Sequence, residues 1–210
     1  MASSFPSFLV QSNANAQALH DIVRGVAHVL HAAALRAVRR HRIWPVIPGV
    51  FYRHRQMPPQ RMVRASQELG IRTVIDLRND PRLVERERTA LQAAGIDHYH
   101  LPCRQIPEPE VIDQFLTIVA DPHRQPVALH CKHGVGRTGV LTAIYLMEHL
   151  GYSNEAARRY ARRCGGVRSF ASPRRKGTFL LNYAPRKDSR VATPAAAPAA
   201  VSAEAIAQLP

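Results

Sequence analysis

One segment constrains the fold of this chain more than any other: PVALHCKHGVGRTGVLTAIYLMEHLG, Pro126 to Gly151. Its VALH is short and apolar, as expected of a central strand, and runs without a spacer into a loop carrying Gly134, Gly136 and Gly139. From Thr138 onward, TGVLTAIYLMEHL reads as a helix, with Val140, Ile144, Leu146 and Met147 apolar around much of its circumference. A strand that feeds such a loop and then a helix N-terminus gathers unpaired N–H groups and the positive end of a helix dipole at one point. The segment therefore predicts an anion site.

The flanking sequence supplies the rest of an α/β fold. GVFYR (Gly49–Arg53), IRTVIDL (Ile71–Leu77) and HYHLP ending at Pro102 are short strand candidates. Between them, helices open at Pro58-Pro59 and at Asp80-Pro81, and close at Gly70 and Gly95. A further helix runs from Pro109 to Ala120, and two more follow the central segment, about Ser153–Arg163 and Arg174–Tyr183. Strands alternating with helices predict a central, mostly parallel sheet flanked by helices. No internal repeat is present.

Three regions are expected: residues 1–44 as an N-terminal helical extension, 45–185 as the catalytic-type domain, and 186–210 as a tail. The extension is helical from Gln17 to about Arg42, where Leu19, Ile22, Val26, Val29, Leu30 and Ala33 form one apolar stripe. Such a stripe suits a helix laid across the domain, or a membrane-surface helix. Pro45 and Pro48 then read as a break. The Ala/Pro-rich tail has too few bulky apolar groups to offset its ordering entropy and is expected to be disordered.

Composition narrows the partners. With 210 residues and 46% hydrophobic content the chain is globular in type, and its net charge of +14 favours anionic partners. The three cysteines, Cys103, Cys131 and Cys164, do not make a disulfide framework, so a reducing, cytoplasmic setting is expected. No apolar run approaches a membrane span, and the first residues lack the charge and apolar core of a secretory signal.

The loop itself admits two chemistries. G-V-G-R-T-G from Gly134 matches a dinucleotide-binding turn, which would make the protein an NAD(P)-dependent oxidoreductase. That reading needs an acidic residue closing a second strand about 20 residues on, and the region there is helical and basic, EAARRYARRC. Read from Cys131 instead, every neighbour has a use. Converging N–H groups favour a thiolate, a setting that lowers a thiol pKa to about 3.5–7.5. Arg137 can return across the loop to grip two phosphate oxygens with its planar fork. The Thr138 hydroxyl can donate to the sulfur, and His130 can steady the loop through its ring. Lys132, His133, Gly134, Val135 and Gly136 would form the phosphate cradle with Arg137. Zinc ligation by His130, Cys131 and His133 is disfavoured by Lys132 and Arg137 beside them.

HCKHGVGRTG resembles the active-site motif of the cysteine-dependent protein tyrosine and dual-specificity phosphatases. The resemblance extends over about Gly49 to Tyr183, through GVFYRHRQMPPQ and LGIRTVIDLRND, which are similar to landmarks of compact bacterial members. It implies a phosphatase-like fold, a phosphocysteine intermediate on Cys131, transition-state binding by Arg137, and neither metal nor cofactor. It also implies an acid from another loop, placed shortly after HYHLP. Glu108, Glu110, Asp113, Asp76 and Asp80 are the nearby carboxylates, and none is assigned.

The expected substrate is a phosphorylated protein, phosphotyrosine first, with phosphoinositide as the alternative because Lys132 follows the cysteine. Val135 stands where the lipid phosphatases carry a second lysine. A domain that captures phosphorylated partners without turnover is a further reading. Between Ala157 and Lys176 lie eight basic residues and no acid, a patch suited to acidic substrate or peripheral membrane contact. No nucleic-acid fold is recognised, so no specific nucleic-acid partner is expected.

Overall fold

The computed structural model describes residues 34–165 and 168–186. Residues 17–33 of the expected N-terminal helix, and the tail beyond 186, lie outside the described residues. Residues 34–41 form a helix, α1. It is followed by β1 (Ile43–Ile47), β2 (Phe51–Arg55), α2 (Pro59–Leu69), β3 (Thr73–Asp76), α3 (Pro81–Ala93), β4 (Asp97–His100) and α4 (Pro109–Ala120). The order closes with β5 (Val127–Cys131), α5 (Gly136–Leu150), α6 (Asn154–Gly165) and α7 (Arg175–Asn182).

The five strands form one sheet in the order β1-β2-β5-β3-β4. All neighbours are parallel except β1, which pairs antiparallel with β2 at one edge. The fold is thus the expected α/β class, a mostly parallel sheet with helices on both faces. The reading of Pro45 and Pro48 as a plain break is corrected: Pro45 lies inside β1. An edge strand leaves one side of its backbone unpaired, so it tolerates the missing N–H of proline. The register shifts between Pro45 and Ile47.

Two cores flank the sheet. Period-two alternation sends Phe51, Ile75, Leu77, Val127, Leu129 and Cys131 to one face, against α4, α5, α6 and Leu180 of α7. The opposite face carries Ile43, Tyr52, Val74 and Ala128, covered by Met62 and Leu69 of α2, Leu91 of α3 and Ala37 of α1. Helix α1 is therefore packed across the sheet through the small Ala37, which is 3% exposed. Local signals act as expected: Asp80 caps α3 by accepting from the N–H groups of Arg82 and Leu83, and Gly70 ends α2 in the left-handed conformation.

β5 is the middle strand, fully buried along VALHC. The chain reaches it from β4 at the far edge, crossing through α4 to the other face of the sheet. Loops at the carboxyl ends of strands beside such a crossing are where ligands meet open α/β sheets. The loop that β5 feeds is the cysteine loop.

Candidate active site

Cys131 is the last residue of β5 and is 3% exposed. Burial alone would push its thiol up. It is instead held below the ordinary thiol range, because the Thr138 hydroxyl and the N–H groups of Thr138, His133 and Gly134 outweigh burial. Thr138 Oγ1 is buried and pairs with no other group among the described residues, and its hydroxyl is the first of the groups that draw the Cys131 thiol down. The loop is shaped for this by Gly134, whose φ is +67° and whose missing Cβ would sit 2.5 Å from the His54 carbonyl oxygen of β2. Only glycine lets the loop lie that close to the neighbouring strand.

Arg137 is in the first turn of α5, and its Nη1 donates to the carbonyl oxygens of Leu77 and Cys103. Those carbonyls follow β3 and β4, so three strand ends together aim the guanidinium. Cys131, His133, Val135, Gly136 and Arg137 line one cleft of about 290 Å3, with Gln105, Ser169 and Lys176 closing it. Lys132 is exposed and does not line the cleft. Gly134, the other expected cradle residue that does not line the cleft, is buried against β2. The other cysteines differ from Cys131: burial pushes Cys103 up to about 11, and Cys164 is also raised by burial.

Lys176 was legible only as part of a basic run. A Cβ on Gly136 would lie 2.9 Å from its Nζ, so the ammonium caps the mouth of the loop. Burial draws its pKa down, against the opposing effect of the Cys131 charge. Gln105 and Ser169 carried no sequence signal, because neither belongs to a motif and the fold alone brings them here.

Beneath the loop lies a buried polar row. Parallel pairing aligns His54 of β2, His130 of β5 and Asp76 of β3 across the sheet. The rings of His54 and His130 stack with centroids 4.6 Å apart. His130 Nε2 lies 2.7 Å from Glu87 Oε1 of α3, and Arg78 Nη2 reaches both Asp76 (2.8 Å) and Glu87 (2.7 Å). Burial works against a charged His130, but Glu87 and Asp76 together raise its pKa. Asp76 and Glu87 are both held below the carboxylate range: burial opposes this, and His98 and Arg78 at Asp76, and His130 and Arg78 at Glu87, prevail. Asp76, Glu87 and His130 are close enough to chelate a cation, yet Arg78 already spans the two carboxylates.

The carboxylates expected near the site therefore separate. Asp76 is locked in this row, Asp80 is a helix cap, and Asp113 pairs with Arg186 at the surface. Glu110 is exposed in the first turn of α4. Glu108, the residue before α4, lines a wider basin of about 710 Å3 with Arg104, Arg174 and Arg175. That basin shares Gln105, Ser169 and Lys176 with the catalytic cleft.

A mostly parallel α/β domain with a buried thiol drawn toward its anion and an arginine in the same cleft defines the cysteine-dependent dual-specificity phosphatase superfamily. Residues 61–175 match the profile of the family described as DSP-PTPase phosphatase fused to NAD+ Kinase, and the chain belongs to that family. It is 32% identical over 98 residues to dual specificity protein phosphatase CDC14B of Mus musculus, covering 46% of this chain and 19% of that protein. It is 29% identical over 103 residues to dual specificity protein phosphatase TpbA of Pseudomonas aeruginosa, covering 48% and 45%. The TpbA crystal structure superposes with a TM-score of 0.56 at 25% identity over 71% of this chain and 89% of that one. The catalytic domain of the PP-IP phosphatase SIW14 from S. cerevisiae gives 0.57 at 21% identity, over 68% and 85%, a likeness of fold. The chain spans about a fifth of CDC14B and under half of TpbA.

Proposed function

We propose that the protein hydrolyses phosphate monoesters through Cys131, with phosphotyrosine in proteins as the preferred substrate and dual specificity within reach. The observation that carries this is the Cys131 sulfur, buried and facing a hydroxyl and three N–H groups in the same cleft as Arg137. The thiolate attacks phosphorus, forming the S–P bond as the ester P–O bond breaks and the leaving oxygen departs with the electron pair. Arg137 and the loop N–H groups hold the non-bridging oxygens, where charge builds in the transition state. Water then attacks the phosphocysteine, releasing phosphate and restoring the thiolate. Thr138 stabilises sulfur at both stages.

Glu108 is the carboxyl we assign to protonate the leaving oxygen, since its basin opens into the cleft. The cationic wall of that basin, Arg104, Arg174, Arg175 and Lys176, favours substrates with acidic groups beside the phosphate. This includes acidic phosphopeptides and also, as the second reading, phosphoinositide headgroups. TpbA has been crystallised in complex with pTyr, which supports the first. No helix among the described residues is long and apolar enough to cross a membrane, and we propose the cytoplasm as the setting. Release of phosphate from p-nitrophenyl phosphate, then from a panel of phosphopeptides and phosphoinositides, tests the reading. Protein that binds phosphotyrosine peptide yet releases no phosphate would replace it with the capture module.

A further inference from the structure

Arg53 is an unexpected residue for a parallel strand. It is the third residue of β2, on the sheet face that also carries Phe51, and it is 6% exposed. Its Nη1 donates to the Gly134 carbonyl oxygen at 3.2 Å, yet its buried Nε has no hydrogen-bond partner among the described residues. Its guanidinium carbon lies 5.4 Å from the centre of the Trp44 ring. A buried cationic donor left without an acceptor is costly unless something else completes its shell.

Arg53 lines a cavity of about 450 Å3 bounded by α1, β1 and α6, together with Arg39, Arg42, Arg163, Trp44 and Tyr160. No acid lines it. Some arginines of the molecule pair with carboxylates, Arg40 with Glu68, Arg124 with Asp121 and Arg158 with Glu155. Arg39, Arg42, Arg53 and Arg163 have no ion pair among the described residues. Like charges gathered around one cavity repel, and an anion inside it relieves that repulsion. Guanidinium groups match the oxygens of a phosphate or sulfate, while Trp44 and Tyr160 put aromatic side chains on the cavity wall. The volume falls within the range of small-molecule sites, about 300–1,000 Å3. The cavity shares no lining residue with the catalytic cleft.

We propose that this cavity is a second binding site, for a small oxyanion carried on a planar aromatic body, coupled to the cysteine loop through Arg53. The coupling has a physical path. Gly134 receives the Arg53 hydrogen bond on its carbonyl, and its N–H is one of the groups that stabilise the Cys131 thiolate. A ligand that engages the free Nε reorients the same guanidinium and so acts on the loop from behind. Occupancy of one site then alters the other, as any coupling of two sites must.

Trp44 is the single tryptophan of the chain, so its emission reports this cavity alone. The test titrates benzenesulfonate into the full chain with orthovanadate saturating the catalytic cleft, with inorganic sulfate as the ring-free control. The expected result is a saturable change in Trp44 emission, about tenfold weaker in affinity for sulfate. Arg163→Gln and Arg39→Gln, both at exposed positions, should each weaken binding by about tenfold. Without vanadate, benzenesulfonate should change kcat/KM for p-nitrophenyl phosphate at least about twofold, within the usual span of coupling. Arg163→Gln should keep its basal activity and lose that response. An emission change abolished by vanadate, or undiminished in Arg163→Gln, would overturn the site. Saturable binding that leaves turnover untouched would overturn the coupling.

Discussion

Cys131 combines two properties that ordinarily conflict, burial to 3% exposure and a thiol drawn toward its anion. The conflict is resolved by donors on His133, Gly134 and Thr138, so local geometry and not water draws the sulfur toward its anion. Iodoacetate should therefore alkylate Cys131 well below the range of an ordinary thiol, and phosphate should protect it; reaction only at alkaline pH would refute the ionised state. Cys131→Ser removes the nucleophile and should lower turnover of p-nitrophenyl phosphate on the order of 10³-fold or more. Arg137→Lys keeps the charge and loses the planar fork, with an expected loss of about 10²–10³-fold in kcat, as for other transition-state donors. Glu108→Gln separates leaving groups. A p-nitrophenolate departs without a proton, whereas an alkoxide needs one, so the variant should cost about 10²-fold on an alkyl phosphate and little on the aryl ester. Equal losses on both esters would remove Glu108 from the assignment. Cys131, Arg137 and Thr138 were legible in the sequence because one short loop holds them at set spacing. Lys176 and Arg53 were not, because they come from distant elements and only the assembled sheet brings them to the loop.

The loop between β5 and α5 depends on its neighbours as much as on its own residues. At Gly134 a side chain would meet the β2 backbone at 2.5 Å and require a left-handed conformation. Gly134→Ala should cost at least about 2 kcal/mol in stability, from conformation and overlap together, read as a lowered urea midpoint. The row beneath the loop gives stability an optimum in pH. Burial and the charge on His130 drive His54 down to about 3, so below about pH 6.5 the unfolded chain takes up a proton that the folded chain refuses. Stability must fall as the pH falls, by on the order of 1–2 kcal/mol between pH 6.5 and 5 from His54. His149, lowered by burial, adds with the same sign. His130 is raised, so above pH 6.5 the unfolded chain releases a proton that the folded chain keeps, and stability declines as the pH rises through the folded pKa. His54→Phe should flatten the acid side of a plot of urea midpoint against pH; an unchanged acid limb would refute the assignment. The strands and helices were readable from punctuation, Pro58-Pro59, Gly70 and Asp80-Pro81 above all. Strand β1 was not, since proline signals a break until an edge position excuses it. The ionic row was hidden as well, because Glu87 lies on a helix and meets His130 only through sheet register.

Charge operates on the whole molecule. The net charge of +14 is a field felt by any approaching anion before contact. Part of it is concentrated where substrate must enter, on Arg104, Arg174, Arg175 and Lys176 around the basin that opens into the cleft. On the proposed function the reacting phosphate would be gripped inside the cleft, where salt screens poorly, whereas the flanks of a peptide would cross open solvent, where the Debye length is about 8 Å at physiological ionic strength. The two parts of a substrate should therefore respond differently to salt. Raising salt from about 50 to 500 mM should reduce kcat/KM for a phosphotyrosine peptide with acidic flanks at least about fivefold, through the association step. For p-nitrophenyl phosphate, which has no flanks, the change should stay within about twofold. Arg174→Glu with Arg175→Glu, both exposed at the start of α7, should flatten the peptide's salt dependence while leaving turnover of the small ester near its original rate. Steady-state kinetics across the salt series decide the matter: parallel slopes for both substrates would mean that the basin does not select, and that the phosphate alone carries recognition.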